Sequence, residues 1–264
     1  MSKRNLGEKI KLQSYNDMFG EDENAEVIVQ EQIKDVALTE LHTFKNHPFK
    51  VSDDAKMEEM VESVKQYGIL VPAIVRSRAE GGYELISGHR RHHAAKLAGL
   101  ETMPVMIKDC SDDEATVIMV DANIQREDIS ISEKAKAYRM KYDAMKHQGM
   151  AGGITLEEMS ESAGESRKTI QRLICLSNLS DEYLDLIDSK KLGIAQGMDL
   201  SYIPEEHRDI VLEVMKDMGM MINMEQSARI KNASKEGLFS EEWLREILNY
   251  KKPVVRKVVF NQNR

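Results

Sequence analysis

The stretch Leu85-Ile86-Ser87-Gly88-His89-Arg90-Arg91-His92-His93-Ala94-Ala95 decides how this chain is read. β-Prone residues run into a serine and a glycine and the pattern then turns helical, which predicts a strand feeding through Gly88 into a helix with a basic first turn. Such a start attracts anions, because the first N–H groups of a helix lack partners within it and sit at the positive end of its dipole. Gly88 lets the backbone approach closely, and Arg90 and Arg91 add planar donor forks suited to phosphate oxygens. The residue types alone leave a second reading open, a basic surface turn with no ligand, since positive charge in a first turn opposes the dipole. His89, His92 and His93 do not read as a metal set: no cysteine or carboxylate completes them, and the arginines would repel a cation.

Outward from this stretch, the flanks predict a small α/β unit. Val36 to Phe44 alternates as a strand, and Ser52 stands as N-cap of a helix from Asp53 to Tyr67 closed by Gly68. Ala73-Ile74-Val75 and Tyr83-Glu84-Leu85-Ile86 predict a hairpin across Gly81-Gly82; residues 89–99 form a helix ending at Gly99, and Met103 to Ile107 a last strand. Residues 1–35, polar with an acidic patch, are expected to be a flexible arm.

From Ser111 onward helices take over. Ser111 with Glu114, Ser130 with Glu133 and Thr155 with Glu158 each have the S/T-x-x-E form of a capping box. Further helices are expected at 181–191, 204–218, 223–235 and 240–250, and a strand or tail after Pro253. The fold class is therefore α+β, a small α/β domain followed by an all-α domain.

Composition narrows the function. The 264 residues carry a net charge of −8, which argues against a chain that coats nucleic acid nonspecifically, so any DNA contact must be local. Neither a signal peptide nor the ~20-residue apolar span of a membrane helix is visible, so a cytoplasmic protein without membrane contact is expected. Cys110 and Cys175 are expected to stay free thiols.

Two further stretches carry chemistry. Asp121 to Asp128 closes the helix opened by Ser111 and reads blandly as a solvated end. Thr155 to Leu179 is more telling: Leu156, Met159 and Ala163 give one helix an apolar face, Gly164 breaks the chain, and Ile170, Leu173, Ile174 and Leu176 give a second helix its own. Two short helices about a glycine turn fit helix-turn-helix geometry. The outward face offers Ser166, Arg167, Lys168, Thr169, Gln171 and Arg172, which suit phosphates and base edges. A plain helical hairpin with a polar face is the competing reading.

In this order the stretches resemble the ParB family of plasmid and chromosome partition proteins over roughly residues 36–200. Gly88-His89-Arg90-Arg91 is similar to the family's G-E-R-R box, Ala122-Asn123-Ile124-Gln125-Arg126 to its E-N-x-Q-R box, Gly68 to Pro72 to its G-x-x-x-P element, and Gly164-Glu165-Ser166-Arg167 to its G-x-S-R. The resemblance implies a flexible arm at 1–35, a nucleotide-binding domain at 36–126, a helix-turn-helix domain at 127–235 and a C-terminal helix and tail at 236–264. It implies CTP, carried with Mg²⁺, held by Gly68, Pro72, Gly88, His89, Arg90, Arg91, Asn123 and Arg126, with Asn123 facing the nucleotide-bound metal. The implied partners are a palindromic double-stranded DNA site, a second copy of the chain and a partition ATPase, at the nucleoid or on a plasmid.

Two departures bear on activity. The family's paired glutamates are His89 and Ala122 here, and alanine can neither hold a metal nor orient water, so at most weak CTP hydrolysis is expected. Family members usually continue into a C-terminal dimerisation domain, whereas this sequence stops about fifteen residues after the helix containing Trp243. The alternatives are a transcriptional repressor of a mobile element without a nucleotide switch, and a nuclease on the same fold, which would need clustered carboxylates near Arg90 and Arg91.

Overall fold

The computed structural model describes residues 33–126, 128–149 and 152–249. The first strand, β1 (Ile33–Ala37), buries only Val36, and a 3-10 turn over Leu38–Glu40 separates it from β2 (Leu41–Thr43). The single strand expected over Val36–Phe44 is thus two short ones, because Val36, Leu38 and Leu41 must all turn into one core and a continuous strand cannot aim all three inward. Ile33 to Asp35, assigned to the arm by composition, belong to β1 and pair with Val105, Met106 and Pro104.

Helix α1 (Ala55–Tyr67) starts two residues later than expected, and its cap is Asp54, whose carboxylate accepts the Met57 N–H at 2.8 Å, rather than Ser52. Strands β3 (Ala73–Ser77) and β4 (Tyr83–Ser87) form the expected hairpin, α2 spans His89–Leu97, and β5 (Thr102–Ile107) closes the sheet. The sheet order is β1-β5-β3-β4-β2. β3 pairs antiparallel with β4 and parallel with β5, so Ala73 and Val75 lie in the middle strand and are fully buried.

Eleven helices fall within the described residues. Capping boxes start α3 (Asp112–Ile124) at Ser111 and α4 (Ile131–His147) at Ser130, as expected. The third expected box does not form. Helix α5 spans Gly152–Ala163, which places Thr155 inside it and fully buried. After α6 (Arg167–Leu176) and α7 (Asp181–Asp188) comes a helix the sequence did not disclose, α8 (Ile194–Ser201). Then follow α9 (Glu205–Met218), α10 (Met224–Glu236), which carries an unforeseen capping box at Asn223 and Gln226, and α11 (Glu241–Asn249). The stretch after Pro253 and nearly all of the expected arm lie outside the described residues.

The halves share packing. One core runs from Phe44, Phe49 and Ile86 through α3 and α4 to Leu244 and Leu248 of α11. A smaller core under the sheet gathers Val36, Leu41, Val75, Leu85 and Val105. Among the described residues no helix is long and apolar enough to cross a membrane.

Candidate nucleotide and nucleic-acid sites

The start of α2 is built as a tight strand-to-helix joint. Gly88 caps the helix at φ +103°, and a Cβ there would lie 2.8 Å from Ala73 Cβ, so the glycine serves both the backbone twist and the contact with β3. Neither arginine points into bulk water. Arg90, only 16% exposed, grips Asp54 with both terminal nitrogens, Nη2 to Oδ1 at 2.9 Å and Nη1 to Oδ2 at 3.3 Å. That guanidinium, aided by the Met57 N–H, holds the Asp54 carboxyl down to about 2. Arg91 donates from Nη1 to the carbonyls of Val71 at 2.5 Å and Pro72 at 2.7 Å, which binds the Gly68–Pro72 loop to the helix start. One turn on, His93 meets Asp53 at 2.6 Å.

The motif at the end of α3 reaches the same neighbourhood through charge. Arg126 faces Asp128 at 3.5 Å, and Asp128 also receives Lys56 of α1 at 3.4 Å. The structure therefore gathers Lys56, Arg90 and Arg126 about Asp54 and Asp128, with Arg91 beside Arg90 held only by backbone carbonyls, so that its charge is not offset by a carboxylate and suits an anion. Sequence reasoning missed Lys56, Asp54 and Asp128. Asn123 ties its side-chain N–H to the Met119 carbonyl at 2.8 Å within its own helix.

His89 departs furthest from expectation. It is buried, its ring packs tilted by 39° against His47 with centroids 3.8 Å apart, and the Nε2 atoms of both rings are buried without a hydrogen-bond partner. Burial, with His47 and His92 nearby, pushes the His89 imidazole down to about 3, and burial lowers His47 as well. His47 donates its Nδ1–H to the Phe49 carbonyl, 2.8 Å away. A polyphosphate suits this donor set; resident Mg²⁺ does not, because the site's carboxylates, Asp54 and Asp128, are taken up by Arg90, Lys56 and Arg126, and among the described residues no three His, Cys, Asp or Glu side chains are grouped to hold a metal ion.

The second site is the face of α6. Gly164, at φ +66°, turns the chain after α5, and its N–H bonds the Ser160 carbonyl at 3.0 Å. Ser166 caps α6 by accepting the Thr169 N–H at 3.1 Å, and their hydroxyls lie 2.8 Å apart. Ile170, Leu173, Ile174 and Leu176 face inward, while Ser166, Arg167, Lys168, Thr169, Gln171 and Arg172 are all exposed. Glu165, the acid of this stretch, turns away to Lys134 at 2.7 Å, so the outward face keeps its positive charge, touched only by an Arg167–Glu157 pair at 3.8 Å. Buried Lys141 of α4 binds Asp121 of α3 at 2.5 Å and Ser162 of α5 at 2.9 Å, joining the two motif-bearing regions.

An α/β half with a cationic helix start, packed onto a helix-turn-helix with a basic outer face, defines a two-part architecture. The ParB N-terminal domain model matches residues 22–124 and the ParB HTH domain model residues 127–235. The chain is 32% identical over 197 residues to stage 0 sporulation protein J of Bacillus subtilis, covering 75% of this chain and 67% of that one. It is 32% identical over 186 residues to the probable chromosome-partitioning protein ParB of Vibrio cholerae, covering 70% and 61%. The chain thus spans about three fifths to two thirds of the length of these relatives. Among solved structures it is similar to the C-terminally truncated ParB of Caulobacter crescentus complexed to the centromeric parS site, with 20% identity, a TM-score of 0.46, and coverage of 77% and 99%. The chain belongs to the ParB family.

Proposed function

We propose that this protein is a DNA-binding partition protein with a nucleotide-responsive α/β half, acting at the nucleoid or on a plasmid. The observation that carries it is the exposed face of α6, where six polar or basic side chains from Ser166 to Arg172 project from a capped helix behind a glycine turn. Two copies read a palindromic double-stranded site, with Arg167, Lys168 and Arg172 on phosphates or guanine edges and Gln171 on adenine. Phosphate contacts supply affinity, and base contacts choose the sequence.

In the α/β half, Gly88, Arg90, Arg91 and Arg126 hold the phosphates of CTP, with Gly68, Pro72, His89 and Asn123 around them. Bound nucleotide biases the pair of protomers toward a closed, clamp-like dimer, which requires a preference of several kcal/mol for that state. Hydrolysis is weak, because buried neutral His89 and exposed Ala122 replace two carboxylates. Asn123 is the proposed contact to nucleotide-borne Mg²⁺. A partition ATPase is the expected protein partner.

Selecting bound duplexes from a random library, with and without CTP, tests this reading. A single palindromic consensus, retained less tightly or released as a sliding species once CTP is added, supports it; a pool with no consensus refutes it. Calorimetry against CTP, ATP and GTP separates it from a repressor without a nucleotide switch, which binds none of them.

A further inference from the structure

Both arginines at the start of α2 are already engaged. Arg90 is bound by the two oxygens of one carboxylate, at 2.9 and 3.3 Å, the fork-on-fork arrangement that two oxygens of a phosphate would adopt. The carboxylate belongs to Asp54 and is 39% exposed against 16% for Arg90, so the pair opens to solvent on its acidic side, from which an anion would arrive. Asp54 also caps α1 through the Met57 N–H at 2.8 Å. Its neighbour Asp53 carries the same charge but holds His93, not an arginine.

The Nη1–Nη2 edge of Arg90 cannot give the same two-point grip to Asp54 and to a phosphate at once, although Arg76 shows that one guanidinium can divide its N–H groups between two carboxylates, Glu84 and Asp112. We propose that Asp54 is an affinity-setting residue, an internal anion that holds Arg90 in place of a phosphate and that a polyphosphate must displace or share with. This rests on the reading of Arg90 and Arg91 as the phosphate-binding pair. Filling the site then loosens the tie between the start of α1 and the start of α2, so that α1 registers the ligand.

The test compares the full chain with D54N, D54S, D53N and R90A by calorimetric titration with CTP and with inorganic tripolyphosphate. Asparagine and serine cap helices about as well as aspartate, so D54N and D54S keep α1 while removing the charge, and a thermal melt of each confirms folding. The expected result is binding about three- to tenfold tighter for both Asp54 variants and much weaker for R90A, with D53N close to the unaltered chain. Unchanged or weaker binding by D54N and D54S overturns the proposal. So does an equal gain from D53N, which marks general charge repulsion rather than competition for Arg90. If the unaltered chain binds neither probe while folded, the nucleotide reading fails and the proposal with it; binding that R90A abolishes but D54N does not tighten sinks the proposal alone.

Discussion

Replacing Gly88 with alanine puts the construction of the α2 start under direct strain. The backbone there sits at φ +103°, outside the range that L-residues favour, which costs ~1–2 kcal/mol once a Cβ is present. That Cβ would lie 2.8 Å from Ala73 Cβ and 3.2 Å from Ala73 Cα. Ala73 is fully buried in the middle strand and has no side-chain torsion to turn, so relief has to come from backbone movement, a further ~1–3 kcal/mol. Alanine also stiffens the unfolded chain and returns ~0.4–1 kcal/mol. The net expectation is a loss of ~2–4 kcal/mol, read from urea unfolding followed by far-ultraviolet circular dichroism. Gly164 supplies the control. Its φ is +66° but no atom lies within 4 Å of the position of an added Cβ, so G164A bears the backbone term without the clash and is expected to lose about 1 kcal/mol or less. A G88A chain no less stable than G164A would refute the close-contact account of the joint.

Acidification is expected to destabilise the fold through the buried histidine pair, His47 and His89. The folded pKa of His89, about 3, lies below its ordinary value, so the unfolded chain binds the extra proton first and stability falls as pH drops below ~6.5. Between neutrality and about pH 5, His89 alone accounts for ~2 kcal/mol; the shifts of His47 and His92 have the same sign, and a urea midpoint indifferent to pH over that interval would contradict the burial argument. Changing Ser166 to alanine removes the α6 cap and is expected to lower stability by ~1 kcal/mol and weaken DNA binding, both absent if Thr169 N–H finds another acceptor. On the selected duplex, Lys168→Ala is expected to weaken binding evenly across sequence variants and to flatten the salt dependence, whereas Gln171→Ala relaxes the choice of base; anisotropy titrations over a salt series separate the two, and identical effects would argue against base readout by α6.

Where one period dominated locally, the sequence was sufficient. The hairpin over Ala73–Ser87, the capping boxes at Ser111 and Ser130 and the apolar face of α6 all follow from patterns within a few residues, and tertiary packing agrees with them. The misses come from packing at a distance. Helix α8 was not legible, and Gly197 lies inside it where a Cβ would come within 2.7 Å of Ile187 and 2.9 Å of Leu176. The run Ser52-Asp53-Asp54 offers three capable caps, and the choice of Asp54 is made by Arg90, thirty-six residues away. The same is true of the candidate site. Arg90 and Arg91 were visible as a basic turn, but their partners Asp54, Val71 and Pro72 are set by the crossing of α1 and α2, and the packing of His89 against His47 by the approach of a loop to a helix start.

On the proposed reading, two separable surfaces bind two kinds of ligand. The chain carrying R90A and R91A together, titrated in one series with CTP and with the selected duplex, puts that separation to the test. Lost CTP binding with duplex affinity within about threefold of the unaltered chain is the expected result, since α6 is left intact. Loss of both affinities in a chain that still melts cooperatively would contradict the division.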